Sequence, residues 1–213
     1  MSKGIKCIGP KALLNINNKP LIIHQIKSIQ KSFSHKRYRL HIVLGYQRDK
    51  VKKILHKYDL LNKKNILIKE DKNYNDCSQT KIITDILLTL QKEHAIVINE
   101  GCIFSNISIP RATSIYNIGK IKKGFDIGCN IRKEQVEYLC YDIPNIWSGI
   151  TFLHKNDIEQ IQNVTLQYLK NKINYIFLFE YINSLIELGI KFEAVKMRYN
   201  GIKDAALTYR GKQ

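Results

Sequence analysis

The sequence predicts an α/β fold: a mostly parallel sheet with helices on both faces and mixed-sheet additions in the second half. Three observations carry that reading. Strand-type and helix-type patterns alternate through the first half, short strand patterns crowd together after it, and no repeat or Pro/Gly/Ser-rich linker breaks the 213 residues.

Taken in order, Pro20 to Lys31 sets Leu21, Ile22, Ile26 and Ile29 at helical spacing, and Leu40 to Leu44 is a short apolar run ending at Gly45. Asp49 to His56 reads as a second helix and Asn65 to Ile68 as a strand. Gln79 to Gln91 is a strongly amphipathic helix, followed by the apolar strand Ala95 to Ile98. Strands that alternate with helices pair in parallel, and ligands of such sheets lie outside the carboxyl ends of the strands. The loops after Leu44, Ile68 and Ile98 are therefore expected on one rim, in a Rossmann-like arrangement. Beyond them, Gly124 to Ile131, Tyr138 to Tyr141 and Trp147 to Leu153 are strand patterns with little helix between. A helix from about Ile173 to Leu188, stopped at Gly189, and a strand from Phe192 to Lys196 close the fold.

Composition is that of one globular domain spanning 1–213, with 44% hydrophobic and 25% charged residues. No stretch is long and apolar enough for a membrane span, and the first residues carry no signal-peptide pattern, so the expected location is cytoplasmic. The formal charge of +17 attracts anions in general. Ile, Lys and Asn are all abundant, as in AT-rich coding sequence, and the lysines run along the whole chain with short clusters at His35–Arg39 and Lys120–Lys123. That coding bias accounts for the charge better than a dedicated nucleic-acid surface does, and contact with nucleic acid is left open through net charge alone, without specificity. Cys7, Cys77, Cys102, Cys129 and Cys140 form no CxxC pair and are expected to be reduced thiols.

One run carries more information. Gly9-Pro-Lys-Ala-Leu-Leu-Asn-Ile-Asn-Asn-Lys-Pro-Leu-Ile22 resembles the sugar-phosphate and phosphocholine nucleotidyltransferases, which have a glycosyltransferase-A-like fold and carry a Pro-Lys-x-Leu segment followed by Lys-Pro-Leu. The resemblance implies that a loop with Gly4 and Gly9 cradles a nucleoside triphosphate and that Lys11 neutralises it, with residues 1–105 the nucleotide-binding half and 106–213 the acceptor half. His41-Ile-Val-Leu-Gly-Tyr46 is similar to the family's second strand, Asn73-Tyr74 to its Asn…Tyr loop, Ile96-Val-Ile-Asn99 to the strand leading to its metal-binding turn, and Trp147-Ser-Gly-Ile-Thr-Phe152 to an acceptor-side strand.

The sequence also departs from the pattern. Only Met1, Ser2 and Lys3 precede Gly4, where family members have an apolar first strand. The Gly-Asp that holds magnesium is replaced by Glu100-Gly101, which shifts the carboxylate one place and so to the opposite strand face. Cys77-Ser78 stands for the Thr-Asn of the base loop, leaving Ser78 as the base contact, and Asp204 is the candidate for a second metal ligand. Phosphoryl-type transfer leans on metal clamps and positioning, so displaced carboxylates remove most of the rate. The expectation is a catalytically degenerate protein, kept for binding or as a component of a larger assembly such as a virus particle, with protein partners. The alternative is an active transferase that uses Mg2+, binding at Glu100 and Asp204, to join a nucleoside triphosphate to a phosphorylated sugar, polyol or choline-like acceptor.

Other constellations are weaker. The six histidines have no partners at ligand spacing, and Cys102 has no identifiable base. Tyr138, Tyr141 and Trp147 fit either stacking on a sugar or base, or packing in a core.

Overall fold

The computed structural model describes residues 10–72, 74, 79–98, 104, 107–119, 126–171, 173 and 176–197. The chain divides into two compact units: Met1–Asn75 with Gly101–Ser108 and Tyr199–Gln213, and Asp76–Glu100 with Ile109–Arg198.

In the first unit a 3-10 turn, Lys11–Leu13, leads into a small hairpin of β1 (Asn15–Ile16) and β2 (Lys19–Pro20). Asn17 and Asn18 take φ of 47° and 62°, the left-handed pair that a two-residue type I′ turn demands and that Asn tolerates better than most residues. Helix α1 (Leu21–Ser32) follows, burying Leu21, Ile22, Ile23, Ile26 and Ile29 while Lys27 and Lys31 face out. The His24 ring Nε2 lies 2.8 Å from the Ile16 carbonyl, which ties the hairpin to the helix.

Strand β3 (Leu40–Leu44), helix α2 (Arg48–Lys57) and β4 (Ile66–Glu70) form a parallel strand–helix–strand unit, in register from Leu40↔Ile66 to Leu44↔Glu70. Helix α2 ends in a Schellman-type cap: Asp59 stands at φ 51° and the Leu60 N–H reaches back 3.0 Å to the Leu55 carbonyl. The core of this unit joins Ile22, Ile23 and Ile26 to Leu44, Val51, Leu55, Leu60 and Ile66.

The second unit holds helix α3 (Gln79–Leu87) and a six-stranded sheet built from β5 (Ala95–Ile98), β6 (Ser114–Asn117), β7 (Ile127–Arg132), β8 (Gln135–Tyr141), β9 (Trp147–Leu153) and β10 (Glu193–Lys196), in the order β5-β9-β6-β10-β8-β7. β10 pairs with β6 in parallel and the other pairs are antiparallel. β9 lies inside the sheet and every one of its residues is buried. Helix α4 (Ile158–Val164) runs on into a π-helical turn, Thr165–Leu169, and helix α5 (Leu178–Glu187) closes at Gly189, φ 93°, where the Ile190 N–H bonds the Leu185 carbonyl. Ile115, Leu139, Trp147, Ile161, Leu169, Tyr181, Ile182, Leu185 and Phe192 are the centre of its core.

The strand and helix patterns of the sequence recur at these places, within a few residues. The hairpin β1–β2, strand β6 and the α4 helix with its π turn were not expected. Helix α3 also stops short of Gln91, and the Gln162 side-chain amide donates to the carbonyl of its last residue, Leu87, and to that of Leu90 beyond it (2.8 and 3.0 Å). Burial settles the fate of the three aromatics: Trp147 is 6% exposed and donates its Nε1–H to the Ile150 carbonyl, so it is core, whereas Tyr138 and Tyr141 are 45% and 49% exposed.

Candidate functional site

The first unit presents the carboxyl ends of β3 and β4 side by side. The Asp71 N–H donates to the Leu44 carbonyl at 2.8 Å, which carries the ladder one step past β4 and holds Asp71 buried at the strand end. Immediately after β3 comes Gly45. A Cβ there would stand 2.6 Å from the Tyr74 Cβ, so the absence of a side chain is what lets the chain after β4 cross the end of β3. The crossing brings the rings of Tyr46 and Tyr74 to 6.1 Å between centroids at an interplanar angle of 55°. Gln47, at φ 50°, donates its Nε2–H to the Tyr46 hydroxyl at 2.8 Å and opens α2.

The same rim is electrostatically organised. Arg48 Nε lies 3.3 Å from a Glu70 oxygen, and the Lys52 ammonium is hydrogen-bonded to the other. That hydrogen bond, reinforced by the charges of Lys52, Arg48 and Lys72, holds the Glu70 carboxyl below its ordinary pKa against a smaller effect of burial. Two cations thus converge on one carboxylate at this end of the parallel pair.

Lys11 starts the 3-10 turn after Pro10, and the Leu13 and Leu14 amides close that turn onto the Pro10 and Lys11 carbonyls. Its side chain is half-buried. The turn packs on α1, and the Leu21 N–H donates to the Leu14 carbonyl at 2.8 Å, so the position of Lys11 is fixed through the first turn of that helix. Gly4, Gly9, Ser78, Glu100 and Asp204 lie outside the described residues, as do Asn73, Cys77 and Cys102. Among the described residues no three His, Cys, Asp or Glu side chains gather to hold a metal ion. Sequence reasoning singled out Gly45-Tyr46 and Asn73-Tyr74 separately and did not foresee the contact of Tyr74 over Gly45. It missed Gln47, Arg48, Lys52 and Glu70 altogether, since their pairing spans a strand–helix–strand unit and leaves no local motif.

In the second unit the polar groups do structural work. Thr113 donates to an Asp157 carboxylate oxygen at 2.6 Å and accepts the His154 N–H at 2.9 Å, tying the start of β6 to the end of β9 and the start of α4. Cys129 is buried and its thiol is pushed up to about 12 by desolvation, which makes it an inert core residue.

A parallel strand–helix–strand unit with a mixed sheet defines an α/β protein of Rossmann-like build. More particularly, its fold is that of the nucleotidyltransferases. The CTP:phosphocholine cytidylyltransferase of Streptococcus pneumoniae superposes with a TM-score of 0.71 over 98% of this chain and 90% of that one, at 15% identity. A nucleoside-diphosphate-sugar pyrophosphorylase from Vibrio cholerae gives 0.66 over 96% and 93%, at 13% identity. The inositol-1-phosphate CTP transferase of T. maritima gives 0.61 over 88% and 76%, at 11% identity. No protein-family model and no curated protein sequence matches the chain. No helix among the described residues is long and apolar enough to cross a membrane.

Proposed function

We propose that this protein is a nucleotide-binding member of the nucleotidyltransferase fold whose transfer chemistry is degenerate, and that it serves as a binding component of a larger assembly. The observation that carries the degeneracy is one of sequence: Glu100-Gly101 follows β5 where the nucleotidyltransferases that this run resembles carry Gly-Asp. A carboxylate displaced by one position along the chain departs from the place at which that family's pattern holds its metal, and transfer of this kind leans on that metal. Nucleotide binding is supported by the fixed Lys11 turn and by the Arg48 and Lys52 cations gathered at Glu70. In this reading Lys11 screens the phosphates, while Tyr46 and Tyr74 offer aromatic surface at the carboxyl end of β3.

Calorimetric titration with each common nucleoside triphosphate is expected to show saturable binding that Lys11→Ala weakens by about tenfold or more, the usual worth of a charge-assisted contact. Pyrophosphate release with Mg2+ is expected to stay at the uncatalysed level. A second reading, an active Mg2+-dependent transferase with Glu100 and Asp204 as metal ligands, is favoured by the coverage of the fold, since nearly the whole chain superposes on a cytidylyltransferase. Magnesium-dependent pyrophosphate release that Lys11→Ala abolishes would establish that reading instead.

A further inference from the structure

The net charge is almost wholly the property of one unit. The first unit carries 21 Lys and Arg against 5 Asp and Glu, a net of +16, while the second carries 14 against 13. The lysines that look evenly scattered in the sequence are therefore balanced by carboxylates in one unit and not in the other. The first Asp or Glu of the chain is Asp49.

The topology gathers part of this excess at one place. The segment 33–39 leads from α1 into β3 and the segment 58–65 leads from α2 into β4, so both arrive at the amino-terminal ends of the parallel pair, where the Leu40 N–H donates to the Asn65 carbonyl at 2.7 Å. Both segments are pinned. Phe33 and Tyr38 rings meet at 6.2 Å, Lys36 N–H bonds the Phe33 carbonyl, and Ile66 N–H bonds the Lys63 carbonyl. On these segments and the last turns of the two helices, Lys31, Lys36, Arg37, Arg39, Lys57, Lys63 and Lys64 are exposed. The single carboxylate there, Asp59, accepts a hydrogen bond from Asn62. The ion pairs of Glu70 lie at the other, carboxyl end of β4.

We infer that this amino-terminal pole binds the phosphodiester backbone of a nucleic-acid duplex, at the opposite end of the strands from the proposed nucleotide site. Seven cations on pinned backbone suit a linear array of phosphates, which a duplex presents at about one per 1.7 Å of axis. No large hydrophobic side chain is exposed in segments 33–39 and 58–65, so the pole offers neither the apolar wedge that seats a protein in a bilayer surface nor the aromatic platform on which unpaired bases stack. The contact is to backbone and therefore sequence-independent.

The test is fluorescence anisotropy of the full chain with labelled DNA and RNA duplexes of about two helical turns, from about 50 to 200 mM salt. A pole variant combining Lys31→Ala, Lys36→Ala, Arg37→Ala, Lys63→Ala and Lys64→Ala is compared with a second-unit variant combining Arg132→Ala, Lys133→Ala, Lys155→Ala, Lys170→Ala and Lys191→Ala, which loses the same charge. The pole variant is expected to bind at least about tenfold more weakly and to show a salt slope reduced by about 0.9 for each phosphate contact removed; the second-unit variant should bind nearly as the parent does. As a measurement that needs no variant, duplex should protect Lys31, Lys36, Lys63 and Lys64, and not Lys133 or Lys170, from reductive methylation read by mass spectrometry. Equal losses in the two variants, polyglutamate binding as tightly as duplex, or retention by anionic phosphatidylserine vesicles without duplex binding would each overturn the assignment. The DNA and RNA arms tell which duplex the pole prefers.

Discussion

Gly45 is the residue on which the carboxyl rim turns. A side chain there meets Tyr74 Cβ at 2.6 Å, inside any real contact distance, so Gly45→Ala must displace the chain that crosses β3. Overpacking of this kind costs about 1–3 kcal/mol, and the expected outcome is a lowered denaturation midpoint together with weaker nucleotide binding. Unchanged binding would detach the Tyr46–Tyr74 pair from the site. Glu70 gives a pH signature at the same rim. Its folded pKa lies below the ordinary 4.5, so its contribution is present above that value and is lost as the pH falls through the folded pKa. Because the group is exposed the effect is small, and Glu70→Gln should flatten the acid limb of the stability–pH curve only slightly. The sequence showed Gly45-Tyr46 and Tyr74 as separate marks. The contact between them depends on the register of β3 against β4, which no local pattern contains.

At the scale of elements, β8 shows how an edge is managed. It pairs with β7 along its length and with β10 only at Gln135, and the Asn183 side chain from α5 takes over beyond that point: its Oδ1 accepts the Leu139 N–H and its Nδ2–H donates to the Leu139 carbonyl, both at 2.8 Å. An amide side chain thus substitutes for a strand. Asn183→Leu keeps the branching of the side chain but orphans both backbone groups, at about 1–3 kcal/mol each, so urea denaturation should lose at least about 2 kcal/mol. A loss near zero would mean that water already serves this edge. The elements that were legible in the sequence are those with a strong apolar pattern, such as α1 with its Leu21, Ile22, Ile26 and Ile29 stripe and β5 with its continuous apolar run. Those that were not have other causes. The strands of the hairpin are two residues each, β6 reads Ser-Ile-Tyr-Asn with polar ends, and the helix beginning at Ile158 passes into a π turn at Thr165, where the period itself changes.

For the whole molecule the governing quantity is the charge division, +16 against +1. Crowded like charges raise the free energy of a folded unit, and salt screens them over a Debye length of about 10 Å at 0.1 M. Raising salt from about 50 to 200 mM should therefore raise the thermal midpoint, and the pole variant should melt no lower than the parent at low salt. A midpoint that falls with salt would show that ion pairs outweigh repulsion. The fold was legible because alternation and the Gly9 to Ile22 run agree, and structures of nucleotidyltransferases superpose on nearly the whole chain. The candidate site was legible only as residue types, since Lys11 depends on a turn locked to α1 and the paired groups of the rim are distant in sequence. The measurement closest to the central claim is nucleoside triphosphate binding and Mg2+-dependent pyrophosphate release on one preparation, with Lys11→Ala alongside. The account predicts saturable binding that Lys11→Ala weakens and no release above the uncatalysed rate; release that requires both Mg2+ and Lys11 would contradict it.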